Sequence, residues 1–99
     1  MFYVGIDIAK NKYDLACINE AGEMMMTNFK FANSYQGFHQ LKIKLEQLSP
    51  ITQGVQIALE STGHYNYHIV AFLRELGYNV FAYNPFIIKQ FAKSQSENI

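Results

Sequence analysis

Two carboxylates stand in stretches that otherwise read as strands: Asp7 in GIDIAK, residues 5–10, and Glu60 in ALESTG, residues 58–63. The first stretch alternates. Phe2, Val4, Ile6 and Ile8 take one side, while Tyr3, Gly5, Asp7 and Ala9 take the other. Around Glu60 the pattern repeats, with Val55, Ile57 and Leu59 against Gln56, Ala58 and Glu60. Each acid therefore shares its face mainly with small residues. If the two strands are neighbours in register, both carboxylates project over that small floor. Close carboxylates repel, and burying them unpaired is costly. A divalent cation offsets the cost: carboxylate oxygens suit Mg2+ or Mn2+, and small neighbours leave room for waters and a phosphate. The chemistry this predicts is metal-assisted phosphoryl displacement. Glu60 closes its strand, at the end where sheets of this class bind ligands. Ser61 and Thr62 then lead to a helix start, a natural seat for a phosphate, beyond their ordinary role as turn and cap residues. The plainer reading has Asp7 solvated or paired with Lys10 or Lys12, and Glu60 solvated before a turn.

The elements that must position these acids follow from periodicity. Strands are predicted over about 2–9, 13–19 and 24–32, joined by a polar break at Lys10-Asn11-Lys12 and a turn at Glu20-Ala21-Gly22. Phe38, Leu41, Leu45 and Leu48 then recur three and four apart, which predicts an amphipathic helix over about 35–48. Ser34 is its N-cap, and Pro50 closes the region. A strand over 55–60 leads to a second helix over 64–76, with Tyr65, Ile69, Phe72, Leu73 and Leu76 on one stripe and Gly77 at C′. A fifth strand covers 78–83, and Asn84-Pro85 opens a short third helix. The order is β-β-β-α-β-α-β-α. Right-handed crossovers make this an α/β fold with a mixed five-stranded sheet, the first strand central and the fourth beside it and parallel. Met24-Met25-Met26 opens an edge strand and invites an intermolecular contact.

Composition narrows the classes. The chain has 99 residues, one domain's worth, with 49% hydrophobic and 16% charged residues, which excludes disorder. Lys plus Arg balance Asp plus Glu at eight each, so no net basic charge advertises nucleic acid, although one piece of a larger binder is still admissible. A single cysteine, Cys17, rules out an internal disulfide and a cysteine-based zinc site. No apolar run approaches the ~20 residues of a membrane span, and the N-terminus lacks a basic n-region. These features fit a cytoplasmic location and no membrane partner. Glu60, His64 and His68 are four apart, but Gly63 breaks their register and zinc needs a further ligand.

Together the pieces are more specific. YVGIDIAKNKYDLACINEAGE, GFHQL, ALESTGHYNYHIVAFLRELGYNVFAYNP and KQFAKS stand in an order that resembles the N-terminal domain of the IS-one-ten family of transposases, the DEDD group related to the pilin-gene invertase. The resemblance spans nearly the whole chain. It implies an RNase H-like, RuvC-like fold. It makes Asp7 and Glu60 the first two of four acidic ligands for Mg2+ or Mn2+. It also implies DNA partners, the insertion-element ends and target, a structured guide RNA, and a homo-oligomer in the full-length protein. Lys10, Ser61, Thr62, Lys89 and Lys93 become possible phosphate or nucleic-acid contacts. The family's last two acids lie in a Lys-Thr-Asp-x-x-Asp segment that does not occur in these residues, and its serine belongs to a separate C-terminal domain. The expectation is a single RNase H-like domain over 1–99, a fragment of a transposase with weak metal affinity and negligible activity alone.

Two other classes compete. An actin-like ATP-binding half-domain shares the β-β-β-α-β-α start, but DIAKNK lacks the Gly/Thr-rich phosphate turn. A noncatalytic interaction domain would keep the fold and use the methionine-rich edge.

Overall fold

The computed structural model describes residues 1–9, 12–60 and 67–83. In chain order the elements are β1 (Phe2–Ala9), β2 (Lys12–Asn19), β3 (Met24–Ala32), α1 (Tyr35–Leu48), β4 (Val55–Glu60), α2 (Tyr67–Glu75) and β5 (Asn79–Tyr83), with a short 3-10 turn at Thr52–Gly54 before β4. The strands form one sheet in the order β3-β2-β1-β4-β5. β1 pairs antiparallel with β2 and parallel with β4, and β4 pairs parallel with β5. This is the mixed sheet expected from the sequence, with β1 central, and its arrangement is RNase H-like. The third helix lies outside the described residues.

The turns form where local chemistry asks for them. After β2, the Asn19 side chain accepts hydrogen bonds from the backbone N–H groups of Ala21 and Glu23, and Gly22 takes φ +82°. Ser34 caps α1 by accepting from the Gly37 N–H at 3.1 Å. At the end of α2, the Tyr78 N–H donates to the Leu73 carbonyl and the Gly77 N–H to the Arg74 carbonyl, with Gly77 at φ +97°. Those two bonds make a Schellman motif, and the conformation is one that glycine adopts without strain. Ser34→Ala leaves the Gly37 N–H without its cap and is expected to lower stability by about 1 kcal/mol, as read by urea denaturation.

One face of the sheet carries the core. Val4, Ile6, Leu15, Cys17, Val55, Ile57 and Leu59 point to it and are buried. They meet Phe38, Leu41 and Leu45 of α1 and Ile69 and Leu73 of α2. Tyr13 stacks on Phe31 at 5.2 Å between ring centres, and Phe38 lies 6.4 Å from Tyr13 and 5.4 Å from Phe72. This chain of rings ties β2, β3, α1 and α2 together, each pair adding about 1 kcal/mol to its area burial. Both described helices thus share one face. The opposite face, which holds Tyr3, Gly5, Asp7, Asp14, Ala58 and Glu60, is open among the described residues.

β3 is the edge strand expected, with Met24 and Met25 exposed and Met26 packed against the core. Asn28 takes φ 56° within it, and its pairing with β2 shifts register twice between Leu15 and Ile18. Irregularity of this kind, with Lys30 on the strand, blunts an edge against further pairing.

Candidate functional site

The register decides where the acids stand. β1 and β4 pair residue for residue from Phe2↔Val55 to Ile6↔Leu59. The next residues of the two strands are Asp7 and Glu60. Side chains alternate along a strand, so both acids share the face of the Gly5↔Ala58 pair two positions earlier. Glu60 stands opposite Tyr83 of β5. The small floor is present: Ala16, Gly5 and Ala58 form one row across β2, β1 and β4. A Cβ added at Gly5 would meet nothing within 4 Å among the described residues.

The sequence reading missed a third acid. Asp14 of β2 pairs directly with Asp7, and Lys30 of β3 pairs with Asp14. The row across the sheet is therefore Lys30, Asp14, Asp7, Glu60, Tyr83. The signal was available: Tyr13, Leu15 and Cys17 alternate toward the core, which puts Asp14 on the other face. Folding β2 back across the break at residues 10–11 brings it to Asp7.

The setting of the acids differs from the expectation in one respect. GIDIAK and ALESTG read as buried runs, yet Asp7 is exposed and Glu60 half-buried. The reason is that α1 and α2 both pack on the aliphatic side, so the desolvation cost inferred for the pair is small here. Asp7 forms no ion pair among the described residues, so the pairing with Lys12 does not form. Lys10, Ser61, Thr62, His64, Lys89 and Lys93 lie outside the described residues. His68 is exposed on α2, and among the described residues no three His, Cys, Asp or Glu side chains gather to hold a metal ion. Two carboxylates are nevertheless a donor set suited to Mg2+, which keeps several waters and often takes only one or two protein carboxylates beside a phosphate.

Cys17 is buried, burial pushes its thiol up from the ordinary range, and its Sγ faces the Ile18 carbonyl at 3.7 Å, so it is no nucleophile. No described helix is long and apolar enough to cross a membrane.

Residues 4–98 match the DEDD model of the IS-one-ten family (IS110), described as a transposase. The pilin gene-inverting proteins of Moraxella bovis and Moraxella lacunata are each 32% identical over 92 residues, covering 93% of this chain and 28% of theirs. Thus the chain spans a little over a quarter of the curated relatives it matches. A crystal structure from Bacteroides thetaiotaomicron, of a protein with an actin-like ATPase fold and unknown function, superposes with a TM-score of 0.67 at 20% identity, covering 85% of this chain and 33% of that one. At that identity the likeness speaks for the fold alone.

Proposed function

The chain belongs to the DEDD transposase family IS110, and from that premise we propose that it is the N-terminal part of the catalytic domain of a DNA recombinase. In this reading the rest of the catalytic domain and a separate C-terminal domain follow in the full-length protein. Asp7 and Glu60 are its first two metal ligands. The observation that carries this is the register: the acids follow directly on the Ile6↔Leu59 pair, on adjoining parallel strands, facing one way over a floor of small residues. Mg2+ or Mn2+, when bound, would polarise a phosphate oxygen and lower the pKa of an attacking water or hydroxyl. The chain's part is to hold two oxygens at one edge of a rigid sheet, with space above Gly5 and Ala58 for the phosphate backbone.

DNA is the proposed substrate, cut and rejoined at insertion-element ends and target. A structured guide RNA and self-association in the full-length protein are proposed on the family's pattern. The balanced charge suits a domain that supplies ligands and a few phosphate contacts while other parts of the full-length protein carry most of the backbone binding. Lys10, Ser61, Thr62, Lys89 and Lys93 are the proposed contacts to the phosphate backbone.

With two protein ligands, metal affinity is expected to be weak, in the millimolar range. Titrating Mn2+ into the 99-residue chain should broaden the amide NMR signals around Asp7, Asp14 and Glu60 before all others. Asp7→Asn should weaken that effect. Broadening centred instead on the Glu20–Glu23 turn, or spread evenly, would sink the assignment.

A further inference from the structure

The chain is neutral as a whole, but its charge is not evenly spread. Apart from Asp7, Asp14 and Glu60, the described acids stand at the far end of the sheet. Glu20 and Glu23 lie in the turn between β2 and β3, and Glu46 and Glu75 in the last turns of α1 and α2. Those helices lead into the starts of β4 and β5, so their last turns lie at that end too.

The corner where β2 begins, β3 ends and α1 starts has the opposite character. Lys12 pairs with Ala32, and Lys30 with Asp14. Lys12 and Asp14 are two apart on one strand, so both lysines share the open face with the acids. Lys30 lies two strands from Asp7, ~10 Å at ordinary strand spacing. Both lysines are exposed, and neither forms an ion pair among the described residues, although Asp14 stands beside each. Edge protection accounts for Lys30, but Lys12 is on an inner strand. Three residues after Ala32, Tyr35 opens α1. It is 87% exposed, and among the described residues its ring meets no other. A tyrosine so placed packs nothing in the fold. No acid stands in the first turn of α1 to repel an anion.

Cations beside a bare ring suit a nucleic-acid strand, which offers phosphates to the first and base faces to the second. Resting on the reading of Asp7 and Glu60 as ligands for phosphate chemistry, we propose that Lys12, Lys30 and Tyr35 hold an unpaired stretch of the DNA strand that reaches the acid pair. The two ammonium groups take backbone phosphates, and the Tyr35 ring stacks on a base. A backbone that enters over Gly5 and Ala58 and passes the acids then leaves the sheet over this corner.

A short oligothymidine, added to the 99-residue chain at low salt without divalent metal, should shift the amide NMR signals of Lys12, Lys30 and Tyr35 before all others. With two phosphates held, log K should fall with log salt at a slope of about −1.4, and Lys12→Gln or Lys30→Gln should each reduce that slope by about 0.7. Tyr35→Ala should weaken binding about tenfold, while Tyr35→Phe keeps it, since stacking needs only the ring. A duplex of equal length should bind less well, its bases being closed to Tyr35. Shifts centred on Lys42, Lys44 and Arg74 overturn the proposal, as does a Tyr35→Ala variant that binds like the parent or a duplex that binds as tightly. Tighter binding of oligouridine would assign the corner to RNA and overturn the DNA assignment. Leaving out the metal keeps two failures apart. Mn2+ broadening at Asp7 and Glu60 with no oligonucleotide shifts at the corner removes this proposal and spares the metal ligands. The reverse pair of results removes the ligands and keeps the corner as a DNA contact.

Discussion

Full-length protein carrying Asp7→Asn should fold normally and lose DNA strand cleavage and joining by about 10³-fold or more. The substitution removes one negative charge from an exposed position with no described ion pair, so its stability should stay within about 0.5 kcal/mol of the parent. Glu60→Gln should have the same effect on activity. Its closest neighbours along the row are Asp7 and Tyr83, and the substitution keeps the side chain's size. If the two acids serve one metal site, the double variant should be hardly worse than either single one, since groups that act as a unit do not add. Additive losses would mean separate roles. Asp14→Asn is the internal control. It changes a carboxylate beside Asp7 on the same face, yet the family pattern gives it no ligand role, so activity should fall less than tenfold. Were Asp14→Asn as damaging as Asp7→Asn, the ligand pair would have to be redrawn as Asp7 and Asp14 across the antiparallel hairpin. Recombination assays on a two-site DNA substrate, at several Mg2+ concentrations, separate these outcomes.

How much of this could be read beforehand differs between the parts. Strand alternation and the three-and-four spacing of Phe38, Leu41 and Leu45 report directly on burial, and all three are in the core. The caps were equally legible, because Ser34 and Gly77 answer local needs of the backbone that do not depend on the rest of the fold. The β1–β4 neighbourhood came from crossover handedness, a rule about topology. Asp14 was overlooked for a different reason. It interrupts no apolar run, and its importance is pairwise: only the β1–β2 register, Asp7↔Asp14, makes it notable. The exposure of the acids was beyond reach in another way. A strand's pattern tells which side chains share a face, but an alternating strand can have both faces covered. That α1 and α2 occupy the aliphatic face and leave the acid face open depends on how the chain leaves β3.

That exit is where the largest stability effect is expected. Only Asn33 and Ser34 separate β3 from α1, and the helix turns back so sharply that its first turn lies against the strand's last residue. Gly37, buried at the third helical position, is the point of contact: a Cβ built there would run into the Ala32 carbonyl oxygen, with the Ala32 backbone carbon and nitrogen at 2.8 Å. The obstacle is backbone, so no side-chain rotation can relieve it. Helix propensity favours alanine over glycine by about 1 kcal/mol. The collision opposes this and wins, because the strand end or the whole helix must move. Gly37→Ala should therefore destabilise the chain by about 2 kcal/mol or more, lowering the midpoint by roughly 10 °C. Gln40→Ala, exposed one turn on, measures the propensity alone and should be neutral or slightly stabilising. If both variants stabilise, the approach of α1 to β3 is looser than described. The choice of sheet face would then lose its cause, because the tight turn at Gly37 sets α1 down on the aliphatic side. With α1 committed there, right-handed crossovers through β4 and β5 place α2 beside it. Asp7 and Glu60 are left on the face that no described helix occupies, where a metal and a phosphate backbone could reach them.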